Sequence, residues 1–188
     1  MDIGQKEILP KPPATSSIRE TEGNRTMIYD VVMHTYKKLD IPSSDNKTYV
    51  VKTVGVNGCD AILIWRVDPE GREQILLTHF PPTEVEAHRR IIKDFSPRGD
   101  GKIKAVFLTM GNERRDWVVK LKEEMEQILK IKPEIISLAG LPKESLKEMQ
   151  HNPILYQLYA TKGYNGNPNA RRVIIPFPNN KNIYESQF

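Results

Sequence analysis

Three apolar, β-branched runs follow one another between Tyr49 and Thr78 with only short turns between them, and no other stretch limits the fold as much. Tyr49-Val50-Val51 comes first, Ala61-Ile62-Leu63-Ile64-Trp65 second and Gln74-Ile75-Leu76-Leu77-Thr78 third. Branched and aromatic side chains suit a pleated, half-buried surface, so each run reads as a strand. Val56-Asn57-Gly58 makes the first turn and Asp68-Pro69-Glu70-Gly71 the second. The chain's single cysteine, Cys59, stands directly after the first turn, and His79 ends the third run. If the second and third runs pair as a hairpin, the start of one lies beside the end of the other. Cys59 and His79 are therefore expected together at one edge of a sheet.

A thiol is a nucleophile only as thiolate, and an imidazole within hydrogen-bond reach supplies the base that makes it one. The imidazole in turn needs an orienting partner. Thr53, six residues before Cys59, offers a hydroxyl or a carbonyl from the neighbouring strand. Gly55 and Gly58 would let main chain approach a substrate closely, and the amides from Asn57 to Cys59 are candidate oxyanion donors. On spacing alone, the same residues also fit a cysteine buried as a small hydrophobe and a histidine at a strand end on the surface.

Lys52-Thr53-Val54-Gly55-Val56-Asn57-Gly58-Cys59 resembles the Thr-Leu-Gly-Leu-Gly-Ser-Cys block of the chemoreceptor glutamine deamidases, the CheD family. In that family the following strand ends in a His-x-x-x-Pro block. His79-Phe80-Pro81-Pro82 is similar, with the proline closer. Met110-Gly111-Asn112-Glu113-Arg114 resembles the family's Gly-x-x-Asn turn, which opens a helix, and Ile135 to Gly140 falls where the family has a strand ending in Gly-Gly. The likeness covers about residues 48–140 in the family's order, and bacterial toxins that deamidate host glutamines use the same Cys-His fold. It implies a glutamine deamidase-like site acting on a protein, with Cys59 as nucleophile, His79 as base and Thr53 as orienter. Gly55, Asn57 and Gly58 would line the oxyanion and substrate position, and neither metal nor organic cofactor would be needed. Three positions depart from the pattern: Asn57 stands for Gly, Gly58 for Ser, and Asp60 sets a carboxylate beside the thiol. A carboxylate facing the sulfur would raise the thiol pKa, but strand alternation predicts that Asp60 points the other way.

A length of 188 residues is expected to make one domain. The net charge of +4 is mild and reads as a solvated surface more than a nucleic-acid footprint. One cysteine excludes an intramolecular disulfide framework and a Cys-rich metal site, which suits a reducing, cytoplasmic compartment. No run approaches bilayer-spanning length. Met1 to Leu9 has no apolar core, so export would need a route other than Sec. No phosphate loop and no metal-ligand spacing stands out.

Along the chain, residues 1–24 are polar and Pro/Ser/Thr-rich and read as a flexible arm. Ile28, Val31, Val32, Tyr36 and Leu39 follow helical spacing, with His34 off the stripe and solvated. Thr83 and Glu86 form a capping box for a helix buried through Val85, Ile91, Ile92 and Phe95, with His88-Arg89-Arg90 on its solvated face. Residues 103–109 read as a strand buried on both sides, 113–130 as a helix packing Trp117, Leu121, Met125, Ile128 and Leu129, and 134–138 as a strand. Pro142 opens a short helix to Gln150. Residues 154–161 and 172–177 read as a hairpin added at a sheet edge, with Tyr156, Tyr159, Tyr164, Arg171 and Arg172 on its surface. The expectation is a single α+β domain over residues 25–188, with 151–188 a C-terminal extension and helices packed outside mixed sheet layers. Its first functional reading is a thiol amidohydrolase. The second is a protein-binding module without turnover on the same fold, and a nucleic-acid-binding protein is the weakest.

Overall fold

The computed structural model describes residues 16–21, 24–56, 58–95, 100–112, 114–141, 143–144, 147, 157–163, 167–176 and 182–187. Two sheets lie face to face. The first runs β1 (Ser16–Thr21), β2 (Asn24–Val31), β4 (Thr48–Thr53), β9 (Leu158–Lys162), β10 (Arg171–Pro176) and β11 (Asn182–Gln187) in spatial order. The second runs β3 (Thr35–Ile41), β6 (Glu73–Phe80), β5 (Asp60–Val67), β7 (Lys102–Thr109) and β8 (Glu134–Ser137). Both sheets are mixed: β2 pairs with β4 and β7 with β8 in parallel, while the other neighbours run antiparallel. Two helices, α1 (Val85–Phe95) and α2 (Asp116–Leu129), cover the outer face of the second sheet. The fold is α+β, with its helices packed outside.

Burial follows from this layering. β5 and β6 have one face against the first sheet and the other against the helices, so both are apolar almost without a break. Ala61, Leu63, Trp65, Ile75 and Leu77 point into the interlayer core, where they meet Val31, Val51, Leu158, Ala160, Val173 and Ile175 from the first sheet. Ile62, Ile64, Leu76 and Phe80 point the other way, onto Ile91, Ile92, Leu121 and Met125 of the helices. β7 is buried from Ala105 to Thr109 for the same reason. β4 alternates buried and half-buried residues, since only one of its faces is covered.

Four expectations are corrected. Residues 25–39 do not form a helix: they make β2, a turn, and β3, which pair with β4 and β6. Their apolar spacing satisfies a helix by coincidence, while the branched and aromatic content of the stretch and the pairing partners decide for strand. Within the arm, Ser16 to Thr21 pairs antiparallel with β2 as β1; residues 1–15 lie outside the described residues. The C-terminal segment is no edge addition, because β9 pairs with β4 as well as β10 and so sits inside the first sheet. β11, which follows β10, was not anticipated. The capping box does not form: Pro82–Glu84 makes a 3₁₀ turn, and Pro81 precedes it without a side-chain cap. The short helix expected from Pro142 to Gln150 lies largely outside the described residues. Among the described residues no helix is long and apolar enough to cross a membrane.

Candidate active site

Strand ends converge at one end of the two layers. Val31 and Thr53 close the parallel β2–β4 pair in the first sheet, and Asp60 aligns with both Phe80 and Thr109 in the second. His79 lies opposite Ala61, so Cys59, two residues earlier, takes the diagonal position on the same face of the hairpin. That face is the interlayer core, and Cys59 is one of its buried members. The sequence-based pairing of the two residues at one sheet end agrees with this register.

Thr53 approaches from the facing sheet rather than from a neighbouring strand, which corrects its expected position. Its Oγ1 lies 2.7 Å from His79 Nδ1 and 2.6 Å from the Val31 carbonyl oxygen. A hydroxyl carries one proton, and the carbonyl can only accept. Thr53 therefore donates to Val31, and His79 must donate its Nδ1–H to Thr53. The tautomer follows from that chain: Nε2 carries the lone pair. Nε2 is buried and has no hydrogen-bond partner among the described residues. The thiol does not bond to it in this state, because Cys59 Sγ instead donates to Met33 Sδ at 3.3 Å.

Met33 belongs to the turn that carries the chain from β2 in the first sheet to β3 in the second, across the open end of the core. The turn is held by His34 N–H donating to the His79 carbonyl at 2.8 Å and by the Thr35 amide and hydroxyl donating to Val32 O. His34 takes a left-handed φ of 66° and stays exposed, as its place off the apolar stripe predicts. Its Nδ1 lies 2.7 Å from Glu84 Oε1. Gly55 and Gly58 have φ of 73° and 79°, the region where a side chain is strained, and a Cβ on either would meet nothing within 4 Å. Both flank open space beside the thiol. Asn57 lies outside the described residues.

Electrostatics keep both the thiol and the imidazole neutral. Burial pushes the Cys59 thiol up, and the carboxyls of Asp60 and Glu84 push in the same direction. Burial lowers His79 to about 4, opposed by the Val31 carbonyl and reinforced by His34. The resting state at this end of the core is a neutral imidazole with a protonated thiol. It is not a preformed thiolate–imidazolium pair.

The helix-facing side of the same sheet end carries a polar set that the sequence reading missed. Asp60 does point away from the sulfur's face, as alternation predicts. It is buried, its Oδ1 has no hydrogen-bond partner, and burial raises it to about 7 against the pull of the Thr109 hydroxyl. His88 is fully buried rather than solvated, with Nδ1 2.9 Å from Thr78 Oγ1 and its ring edge-on to Phe80 at 5.1 Å. The signal was present: His88 shares the helical stripe of Ile91, Ile92 and Phe95. Arg89 is ion-paired with Glu86 and Glu124. The expected turn at Met110 to Arg114 leads into α2, and Gly111 leaves room for the Trp117 ring, which a Cβ would meet at 2.6 Å. Arg171, expected on the exposed surface of the hairpin, instead makes two hydrogen bonds, of 3.0 and 2.9 Å, to the buried Glu73 carboxylate. Tyr156 and Tyr164 lie outside the described residues.

A cavity of about 400 Å³ opens at the opposite end of the hairpin, lined by Asp40, Arg66, Arg72 and Glu73 among others. In its lining Arg72 bonds Asp68 and Gln74 bonds Asp40, and neither Cys59 nor His79 lines it. Among the described residues no group of three His, Cys, Asp or Glu side chains is placed to hold a metal ion. No protein-family model and no curated protein matches the chain.

Proposed function

We propose that this protein is a cysteine-dependent amidohydrolase that converts glutamine side chains of a protein to glutamate, releasing ammonia. One observation carries the reading: the Val31–Thr53–His79 chain fixes the imidazole with a bare, buried Nε2 on the face that also bears Cys59. His88 also leaves a buried Nε2 without a partner among the described residues, so what sets His79 apart is that its imidazole lies on the same sheet face as the thiol.

The chemistry then runs in two halves. Cys59 Sγ attacks the carboxamide carbon while its proton passes to His79 Nε2, giving a tetrahedral oxyanion. The main-chain amides of Gly58 and Cys59 are the candidate donors to that oxygen. Collapse breaks the C–N bond, Nε2–H gives its proton to the departing nitrogen, and ammonia leaves a thioester. Water then attacks the thioester carbon and loses a proton to Nε2. Sulfur departs, recovers that proton, and the carboxylic acid is released. Water is the only co-reactant.

A second reading is favoured by a specific observation: the thiol is buried, raised and capped, as in a protein-binding module that makes no use of it. Alkylation of Cys59 by chloroacetamide, a small electrophilic carboxamide, separates the two. With His79 as general base, the rate should be level from about pH 5 to 8, because only the neutral imidazole is required. His79→Ala should lose about 10²-fold or more at pH 7 and climb with pH as an ordinary thiol does. A wild-type rate that itself climbs tenfold per pH unit, unaffected by His79→Ala, would refute the hydrolase reading. Ammonia release from a glutamine-rich protein, abolished in Cys59→Ser, is the matching test of turnover.

A further inference from the structure

The thiol's hydrogen-bond partner is an exposed side chain on the β2–β3 turn. Cys59 is 4% exposed, and the atom in contact with its sulfur is the Met33 thioether. Met33 itself is 48% exposed, on a turn with solvent on its far side. Large apolar side chains rarely cluster in solvent without a use. Among the described residues four stand exposed, and three of them, Val32, Met33 and Val54, belong to this mouth. Val32 and Val54 directly follow Val31 and Thr53, the last pair of the parallel β2–β4 ladder, which sets them side by side. On the other flank, the left-handed glycines Gly55 and Gly58 leave open room for main chain.

The geometry points to Met33 as the specificity-determining residue of this site. Its thioether occupies the position over Cys59 that a reacting carboxamide must take, so substrate enters by displacing it. The displaced side chain then packs, with Val32 and Val54, against an apolar residue next to the reacting glutamine. An unbranched thioether with three rotatable bonds suits that double duty, since it fills either position at small conformational cost. Free glutamine and glutamines in a charged context bring nothing to repack against and leave the cap closed. The substrate class is therefore a protein segment in which the glutamine neighbours an apolar side chain. This inference rests on the hydrolase reading for its substrate and on geometry alone for its cap.

The test compares chloroacetamide with N-benzylchloroacetamide, which differ only by an apolar group, on the wild type, Met33→Ala, Met33→Leu and Met33→Ser. Wild type should prefer the benzyl reagent. Met33→Ala should react about fivefold or more faster with chloroacetamide, because the capped fraction disappears, and should lose the benzyl preference. Met33→Ser should do likewise, whereas Met33→Leu should keep the preference, which a purely structural role would not predict. Equal thermal unfolding of the four proteins guards against a folding artefact, and position 33 is exposed enough to expect it. Unchanged chloroacetamide rates in Met33→Ala, or no benzyl preference in the wild type, would overturn the inference while the pH plateau above still stood. Loss of that plateau with the Met33 effects intact would sink the hydrolase reading and keep Met33 as the residue controlling access.

Discussion

Replacing Asp60 with asparagine separates two effects of one carboxyl. Folding raises its pKa from 3.8 to about 7, so its neutral form is the one the fold favours. The stability it contributes is present below about pH 4 and lost as pH rises through 7. Asp60→Asn should thus leave the melting temperature near its wild-type value at pH 4 and stabilise the protein at pH 8. The gain at pH 8 should be about 1–3 kcal/mol, the cost of a buried polar group without a full set of partners. The same variant removes a negative charge that raises the Cys59 thiol, so its alkylation midpoint should move down in pH. Thr53 is a cleaner probe of positioning. Thr53→Val keeps the shape but removes the acceptor for His79 Nδ1–H, and chloroacetamide alkylation should fall by about 10- to 100-fold, with Thr53→Ser restoring most of it. At this scale the sequence is informative where partners lie close along the chain: Thr53, Cys59 and His79 fall within one strand–turn–hairpin run. Met33 was illegible because it lies outside that run, in a stretch whose apolar spacing read as a helix rather than as the β2–β3 turn that brings it to Cys59.

The elements repeat that pattern. β5, β6 and β7 were readable because burial on two faces forces unbroken apolar runs, and α2 because one face alone is buried. β2 and β3 were not, since the five apolar residues picked out between Ile28 and Leu39 fit a helical stripe as well as two short strands. The C-terminal hairpin was legible as a hairpin, but its station was not: nothing local in Leu158 to Lys162 says that β4 is its partner. That station makes a prediction. Deleting residues 151–188 removes Leu158, Val173 and Ile175 from the interlayer core, at about 1.5–3 kcal/mol each. Against an ordinary total of about 5–15 kcal/mol, the shortened chain should not hold its fold, and loss of near-ultraviolet circular dichroism would show it. A retained cooperative melt would contradict the central position of β9. Arg171→Ala, which strands the buried Glu73 carboxylate, should cost about 3–5 kcal/mol in denaturant unfolding.

At the scale of the whole molecule, two of the described histidines are buried in their neutral form, and this shapes its behaviour in acid. His79 and His88 are lowered from 6.5 to about 4 and about 3. Their depressed values mean that the unfolded chain binds protons the folded one refuses, so their contribution is intact above about pH 6.5 and drains away as pH falls toward 4. Asp60 acts in the opposite sense over the same interval and offsets part of the loss. His88→Gln should flatten the acid limb of a stability-versus-pH curve while leaving the plateau at neutral pH nearly level apart from a constant offset. An unchanged acid limb would show that His88 does not titrate on unfolding in that range.

The two sheets also differ in when a growing chain can complete them. β5, β6 and β7 are consecutive in sequence and can pair soon after they leave the ribosome, carrying Cys59 and His79 with them. Thr53 sits on β4, whose far edge stays bare until Leu158 to Lys162 has been synthesised. A nascent chain therefore passes through a long interval with an unpaired strand edge, which invites chaperones and sticky encounters. Throughout that interval the imidazole lacks its firm mooring on Thr53, so the nascent chain holds thiol and imidazole together well before the last strands woven in fix the ring's orientation.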